Sequence, residues 1–165
     1  MTAAPLLALA ARVLTKHRLD AVMIGNAAAA LHGAPVTTLD IDFMIRESPA
    51  TVRKLRAIAR ELDAVIFRPY YPASPLYRIS RDGTGLQFDF MTRVSGVRSL
   101  ASLRSRAIEV RFGAHTLRVA ALEDIIHSKE VAGRAQDRAV LPVIRRVVRE
   151  RRALYGTKAP RRRSR

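Results

Sequence analysis

The spacing of apolar and polar residues along the chain divides it into short alternating elements. Pro5 to Leu14 is apolar and runs on into Lys16-His17-Arg18, which predicts an amphipathic first helix near 4–17. A short apolar run near 20–24 then leads through Gly25-Asn26 into a small-residue helix near 26–33, followed by a strand near 39–46. Thr51 to Leu62 has helical spacing, with Ser48 or Thr51 as cap and Pro49 near the start of a helix over 50–62. Strands are predicted near 64–68, 76–80 and 86–91, the last two joined by the hairpin-like Asp82-Gly83-Thr84-Gly85. Between 69 and 75, three prolines and two tyrosines make a rigid loop. A helix near 98–106 precedes a second hairpin, Val110-Arg111-Phe112 and Thr116-Leu117-Arg118-Val119, which turns at Gly113-Ala114. Two helices close the chain, one from about 121 and one over Ala135 to Leu154. The order predicts an α/β or α+β fold, a small mixed sheet flanked by helices mainly on one side, with a C-terminal helical segment.

Two carboxylates interrupt the apolar strand near 39–46. Asp40 and Asp42 are spaced i, i+2 among Leu39, Ile41, Phe43, Met44 and Ile45, so both fall on one face. Buried side by side, they would repel each other and resist ionisation. A hard divalent cation relieves both problems, because it takes carboxylate oxygens and brings substrate phosphate with it. On an edge strand the same pair would simply face solvent. Upstream, Gly25 permits a sharp exit from the strand and close approach of a ligand, and Asn26 can cap the alanine-rich helix whose first N–H groups suit an anion. A third acid, Asp89, stands alone between Phe88 and Phe90 in a later strand.

The run Ile24-Gly25-Asn26, thirteen residues, then Asp40-Ile41-Asp42 resembles the signature of the DNA polymerase β-like nucleotidyltransferases. The wider phrase IGNAAAALHGAPVTTLDIDFMI is similar to the small bacterial members, including the abortive-infection toxin type and its minimal relatives. Those proteins usually have Ser or Gly where Asn26 stands. The resemblance implies the nucleotidyltransferase fold. It also implies that Asp40, Asp42 and Asp89 hold Mg²⁺ or Mn²⁺, with Asp89 as third ligand and general base, and that Gly25 and Asn26 fix the phosphates of a nucleoside triphosphate. A helix with Lys, a short break, an Arg and then an Asp is also similar to those proteins, and implies that Lys129 reaches nucleotide phosphates. The residues themselves leave a second reading for that stretch: Glu130 and Arg134 form an i, i+4 pair, and Asp137 charge-matches a helix start.

Composition narrows the classes. At 165 residues, one nucleotidyltransferase domain over 1–154 is expected, its helical part beginning near 121, with a disordered basic tail over 155–165. The chain has no cysteine, and its four histidines (His17, His32, His115, His127) lack zinc spacing. No apolar run reaches the roughly 20 residues of a membrane helix, and no cleavable leader is apparent, so a cytoplasmic bacterial protein is expected. Net charge is +16; residues from Arg145 onward contribute +9 of it, leaving +7 for the rest. Arg145, Arg146, Arg149, Arg151 and Arg152 crowd the last helix, which suits a phosphate backbone, although an arginine-rich tail can also serve solubility alone.

The expected activity is transfer of a nucleoside monophosphate from a nucleoside triphosphate to a hydroxyl. From the resemblance, the acceptor is RNA, a transfer RNA 3′ end, in a toxin restrained by an antitoxin. The alternatives are nucleotidylation of a protein or a small molecule such as an aminoglycoside, and an inactive relative that only binds nucleotide or RNA.

Overall fold

All seven expected strand segments join one sheet in the computed structural model, which describes residues 3–37 and 40–155. In chain order the elements are α1 (Ala3–Lys16), β1 (Ala21–Ile24), α2 (Gly25–Leu31), β2 (Ile41–Ile45) and α3 (Pro49–Glu61). There follow β3 (Val65–Phe67), β4 (Leu76–Arg81), β5 (Leu86–Met91) and α4 (Leu100–Arg106). The chain continues through β6 (Ile108–Phe112), β7 (His115–Val119), α5 (Leu122–Ala132) and α6 (Ala135–Tyr155). The sheet order is β3-β4-β5-β2-β1-β7-β6, with β2 parallel to β5, β1 parallel to β7, and the other pairs antiparallel. Leu39 and residues 156–165, and with them nearly all of the expected basic tail, lie outside the described residues.

Side-chain alternation gives the sheet two different faces. Phe43, Phe88, Phe90 and Ile79 are fully or almost fully buried on one, where Phe43 stacks on Phe90 at 5.3 Å and meets Phe88 edge-on. Helices α1 and α3 flank this sheet side by side, joined where Arg12 and Lys16 of α1, and His17 just after it, meet Glu61 of α3. Hydrogen bonds from His17, Lys16 and Arg12 hold the Glu61 carboxyl down at about 2. Ser48 caps α3 by accepting from the Thr51 N–H at 3.1 Å, and Pro49 occupies its first turn. The opposite face carries Val22, Met44 and Met91 beside the three aspartates, and α4 and α5 border it through Leu100, Leu103 and Ile125. Helices therefore lie on both sides of the sheet rather than mainly on one, because that second face has apolar residues of its own to cover.

The last helix is tied to the body through a buried histidine. His32, which ends α2, donates from Nε2 to the Ala120 carbonyl at 2.8 Å, so Nδ1 is free to accept from Arg151 Nη1 at 3.2 Å. Arg151 Nη2 also donates to the His32 carbonyl at 2.8 Å. No helix among the described residues is long and apolar enough to cross a membrane.

Candidate active site

Asp42 and Asp89 are register partners on the parallel strands β2 and β5, which puts their side chains next to each other on one face. Asp40, just ahead of β2, joins them: Asp40, Asp42 and Asp89 each offer a carboxylate oxygen within 4.8 Å of the others. Burial pushes the Asp42 carboxyl up to about 7, and the negative charges of Asp40 and Asp89 push the same way, against the weaker pull of Lys129 and Arg134. An all-oxygen set of three clustered acids, one of them held partly neutral at physiological pH, fits a hard divalent cation. Asp40 also accepts a long hydrogen bond from Gln87, its neighbour on β5, at 3.4 Å.

The Gly25 corner is fitted to Asp42. Gly25 has φ +72°, and a Cβ there would lie 2.5 Å from Asp42 Oδ2, so both backbone conformation and space require glycine. The expected Asn26 cap does not form. Helix α2 begins one residue earlier, with Ile24 at its N-cap position and no side-chain cap bond. Asn26 sits inside the first turn instead, and its Oδ1 is buried without a hydrogen-bond partner among the described residues. An orphaned amide oxygen beside a glycine corner is a further place for a ligand to complete.

A cavity of about 70 Å³ opens beside Asp42, lined also by Gly25, Ser128, Lys129, Arg134 and Asp137. Lys129 is buried on α5 and donates to Asp137 Oδ1 at 3.1 Å; Arg134 Nε donates to Asp137 Oδ2 at 2.6 Å. Burial works against a charged Asp137, but these hydrogen bonds hold its carboxyl below the usual range. The predicted Glu130–Arg134 pair is replaced: Glu130 meets Arg145 of α6, and Arg134 turns to Asp137. The break after Gly133, at φ +61°, redirects the chain and puts Arg134 at the cavity.

Arg78 is the site residue that the sequence reading overlooked. It faces Asp89 across the β4–β5 pair and grips both of its oxygens, with Nε at 2.8 Å and Nη2 at 2.6 Å. The signal was present in the hairpin, since an Asp82–Gly85 turn sets Arg78 opposite Asp89. Of the five arginines expected to meet RNA, Arg145 pairs with Glu130, Arg146 with Glu150 and Arg152 with Glu123, while Arg151 binds His32. Arg149 has no such partner among the described residues.

The profile of a family described as nucleotidyl transferase of unknown function (DUF2204) matches residues 4–163. No curated protein matches the chain. Among solved structures, the fold is similar to that of the antibiotic-resistance factor ANT(2″)-Ia in solution (TM-score 0.54, 14% identity, 92% of this chain and 93% of that one). It is similar to ANT(2″)-Ia in complex with adenylyl-2″-tobramycin (TM-score 0.53, 15% identity, 89% and 92%). An antigenic nucleotidyltransferase-like protein from Paracoccidioides brasiliensis is also similar (TM-score 0.57, 16% identity, 89% and 75%). At these identities the likeness establishes the fold.

Proposed function

Given that the chain belongs to this nucleotidyl transferase family, we propose that it moves a nucleoside monophosphate from a nucleoside triphosphate to a hydroxyl acceptor. The convergence of Asp40, Asp42 and Asp89 on one face of the sheet carries the reading. These residues would hold Mg²⁺ or Mn²⁺, which supplies charge neutralisation at the reacting phosphate and at the departing pyrophosphate. Gly25, whose missing Cβ makes room for the Asp42 carboxylate, and Asn26, whose side-chain N–H groups can donate to an anion, would meet the triphosphate at the start of α2. Lys129 and Arg134, both anchored on Asp137, present positive charge to the phosphates across the cavity. Asp89, oriented by Arg78, receives the proton of the attacking hydroxyl.

RNA, a transfer RNA 3′ end, is the acceptor we favour. Unrestrained transfer to that end would halt translation, so an antitoxin would accompany the enzyme, and co-expression rescue of a growth defect tests for one. A small-molecule acceptor is the second reading, suggested by the fold shared with ANT(2″)-Ia. Its weakness is charge: a polyamine sugar would meet Lys129 and Arg134 on a chain of net charge +16.

The test is incubation with α-labelled nucleoside triphosphates and total cellular RNA, then cellular protein. Asp42→Asn should abolish labelling while leaving the circular dichroism spectrum unchanged. Undiminished labelling by that variant would sink the assignment.

A further inference from the structure

A second pocket of about 510 Å³ lies on the aspartate face of the sheet, at the carboxyl ends of β2 and β5. Arg46 follows β2, Arg93 follows β5, and Arg98 and Arg104 come from the entry to α4 and from α4 itself. Its two acids are already engaged. Asp20 accepts from Arg104 at 2.6 Å and from Arg118 at 3.4 Å, and Glu47 accepts from the Tyr77 hydroxyl at 2.6 Å. Arg46, Arg93 and Arg98 are exposed and pair with no carboxylate among the described residues. Three unpaired guanidinium groups around one concavity repel each other unless an anion joins them.

The pocket adjoins the candidate active site. Val97 lines both cavities, and Met44 and Met91 continue the rows of Asp42 and Asp89 towards it. Arg46 immediately follows β2, four residues beyond Asp42, which at the rise of an extended strand is roughly 13 Å. That separation places the arginines where the chain behind a reacting terminus would run. By contrast, four of the five arginines singled out on α6 are already engaged by carboxylates or by His32.

We propose that the pocket, through Arg46, Arg93 and Arg98, binds the sugar–phosphate backbone of a nucleic-acid strand whose end is presented to Asp40, Asp42 and Asp89. The proposal rests on the nucleotidyl-transfer reading for the presented end, but the binding it predicts is measurable without catalysis. It assigns the polyanion to this pocket and not to α6. Each phosphate contact to a single strand contributes a slope of about −0.7 in log K against log salt.

The experiment is fluorescence anisotropy of a fluorescein-labelled oligouridylate titrated with the full chain, without divalent cation, over a range of salt. Arg46→Ala/Arg93→Ala/Arg98→Ala should weaken binding by about tenfold or more at low salt and reduce the magnitude of the slope by about 2. Arg145→Ala/Arg149→Ala should stay within about twofold of the parent. Thermal melts of all variants exclude unfolding, since the replaced side chains are exposed. Unchanged binding by the triple variant overturns the proposal, as does loss confined to the α6 variant. Loss of nucleoside triphosphate binding with oligonucleotide binding intact also overturns it, because the pocket would then serve the nucleotide's own phosphates. A deoxyoligonucleotide arm tells whether the sugar hydroxyl adds to the backbone contact, and weakening of either strand by the triple variant supports the pocket. Strand binding lost in the triple variant, in a protein that transfers no label, would leave the pocket standing and remove the transferase reading.

Discussion

Arg78 donates to Asp89 through two parallel hydrogen bonds, 2.8 and 2.6 Å, from the strand next to the one that carries the acid. A fork of this kind fixes the plane of the carboxylate, which a single point charge does not. Asp89 is 3% exposed, so the guanidinium also provides its main counter-charge among the described residues.

Arg78→Lys should therefore keep the fold and lose rate. Transfer is expected to fall roughly 10- to 100-fold, as when an outer partner of a ligating group is removed. Arg78→Ala should in addition destabilise the protein by about 3–5 kcal/mol, because a buried carboxylate loses its partner. Denaturant titration of both variants separates the effects, and full activity in Arg78→Lys would show that the fork is dispensable.

Gly25→Ala should be more damaging than an alanine substitution usually is. Its methyl group would stand 2.5 Å from Asp42 Oδ2, and the residue would be held at φ +72°. The left-handed conformation alone costs about 1–2 kcal/mol. The displaced carboxylate should lower transfer by about 100-fold. A crystal structure of the variant showing Asp42 unmoved would contradict the packing argument.

The Asp42 carboxyl, at about 7, makes stability depend on pH in a defined direction. Its folded value lies above the ordinary 3.8, so its contribution is fully present below 3.8 and is lost as pH rises through 7. Ionising it inside the cation-free protein costs on the order of 4 kcal/mol. Differential scanning fluorimetry without divalent cation should show this group's contribution as a melting temperature that falls between about pH 4 and about pH 7 and levels off above, and that component should be absent in Asp42→Asn. Mg²⁺ should raise the melting temperature more at the higher pH, because less proton has to be displaced.

Lys129→Met keeps an unbranched side chain of nearly the same reach and removes the charge. Asp137 retains its hydrogen bond from Arg134, so the fold should survive. If Lys129 contacts the nucleotide, KM for the triphosphate should rise roughly 10- to 100-fold, the worth of one charge-assisted hydrogen bond. An unchanged KM would reduce Lys129 to a brace between α5 and α6.

Elements with a strong local signature were legible in the sequence. Gly25, the Asp40–Asp42 spacing and the lone acid between Phe88 and Phe90 each break an apolar run in a way that local periodicity exposes, and the structure brings all three acids together. Ser48 and Pro49 marked the start of α3 correctly, because capping is a matter of adjacent residues. Asn26 was misread because the turn at Gly25 is tighter than expected, so the helix starts before the asparagine and not after it. Arg134 was assigned to Glu130 by helical spacing, whereas Gly133 ends the helix between them and frees the arginine for Asp137. The Arg46, Arg93 and Arg98 pocket was invisible. Its members come from the ends of two strands that pair only in three dimensions, and no spacing rule links them.

The pairing of β2 with β5 has a consequence for folding. Asp42 and Asp89 meet only when Ile41 aligns with Phe88 and Phe43 with Phe90; a slip of one residue would place a phenylalanine ring where the third carboxylate belongs. In the unfolded chain the acids are scattered across a long intervening segment, so the cluster does not exist there. A cation bound by all three recognises one strand alignment and no other. The affinity of such an ion would thus report on the correctness of that seam, and its binding would favour the one register in which the three acids meet.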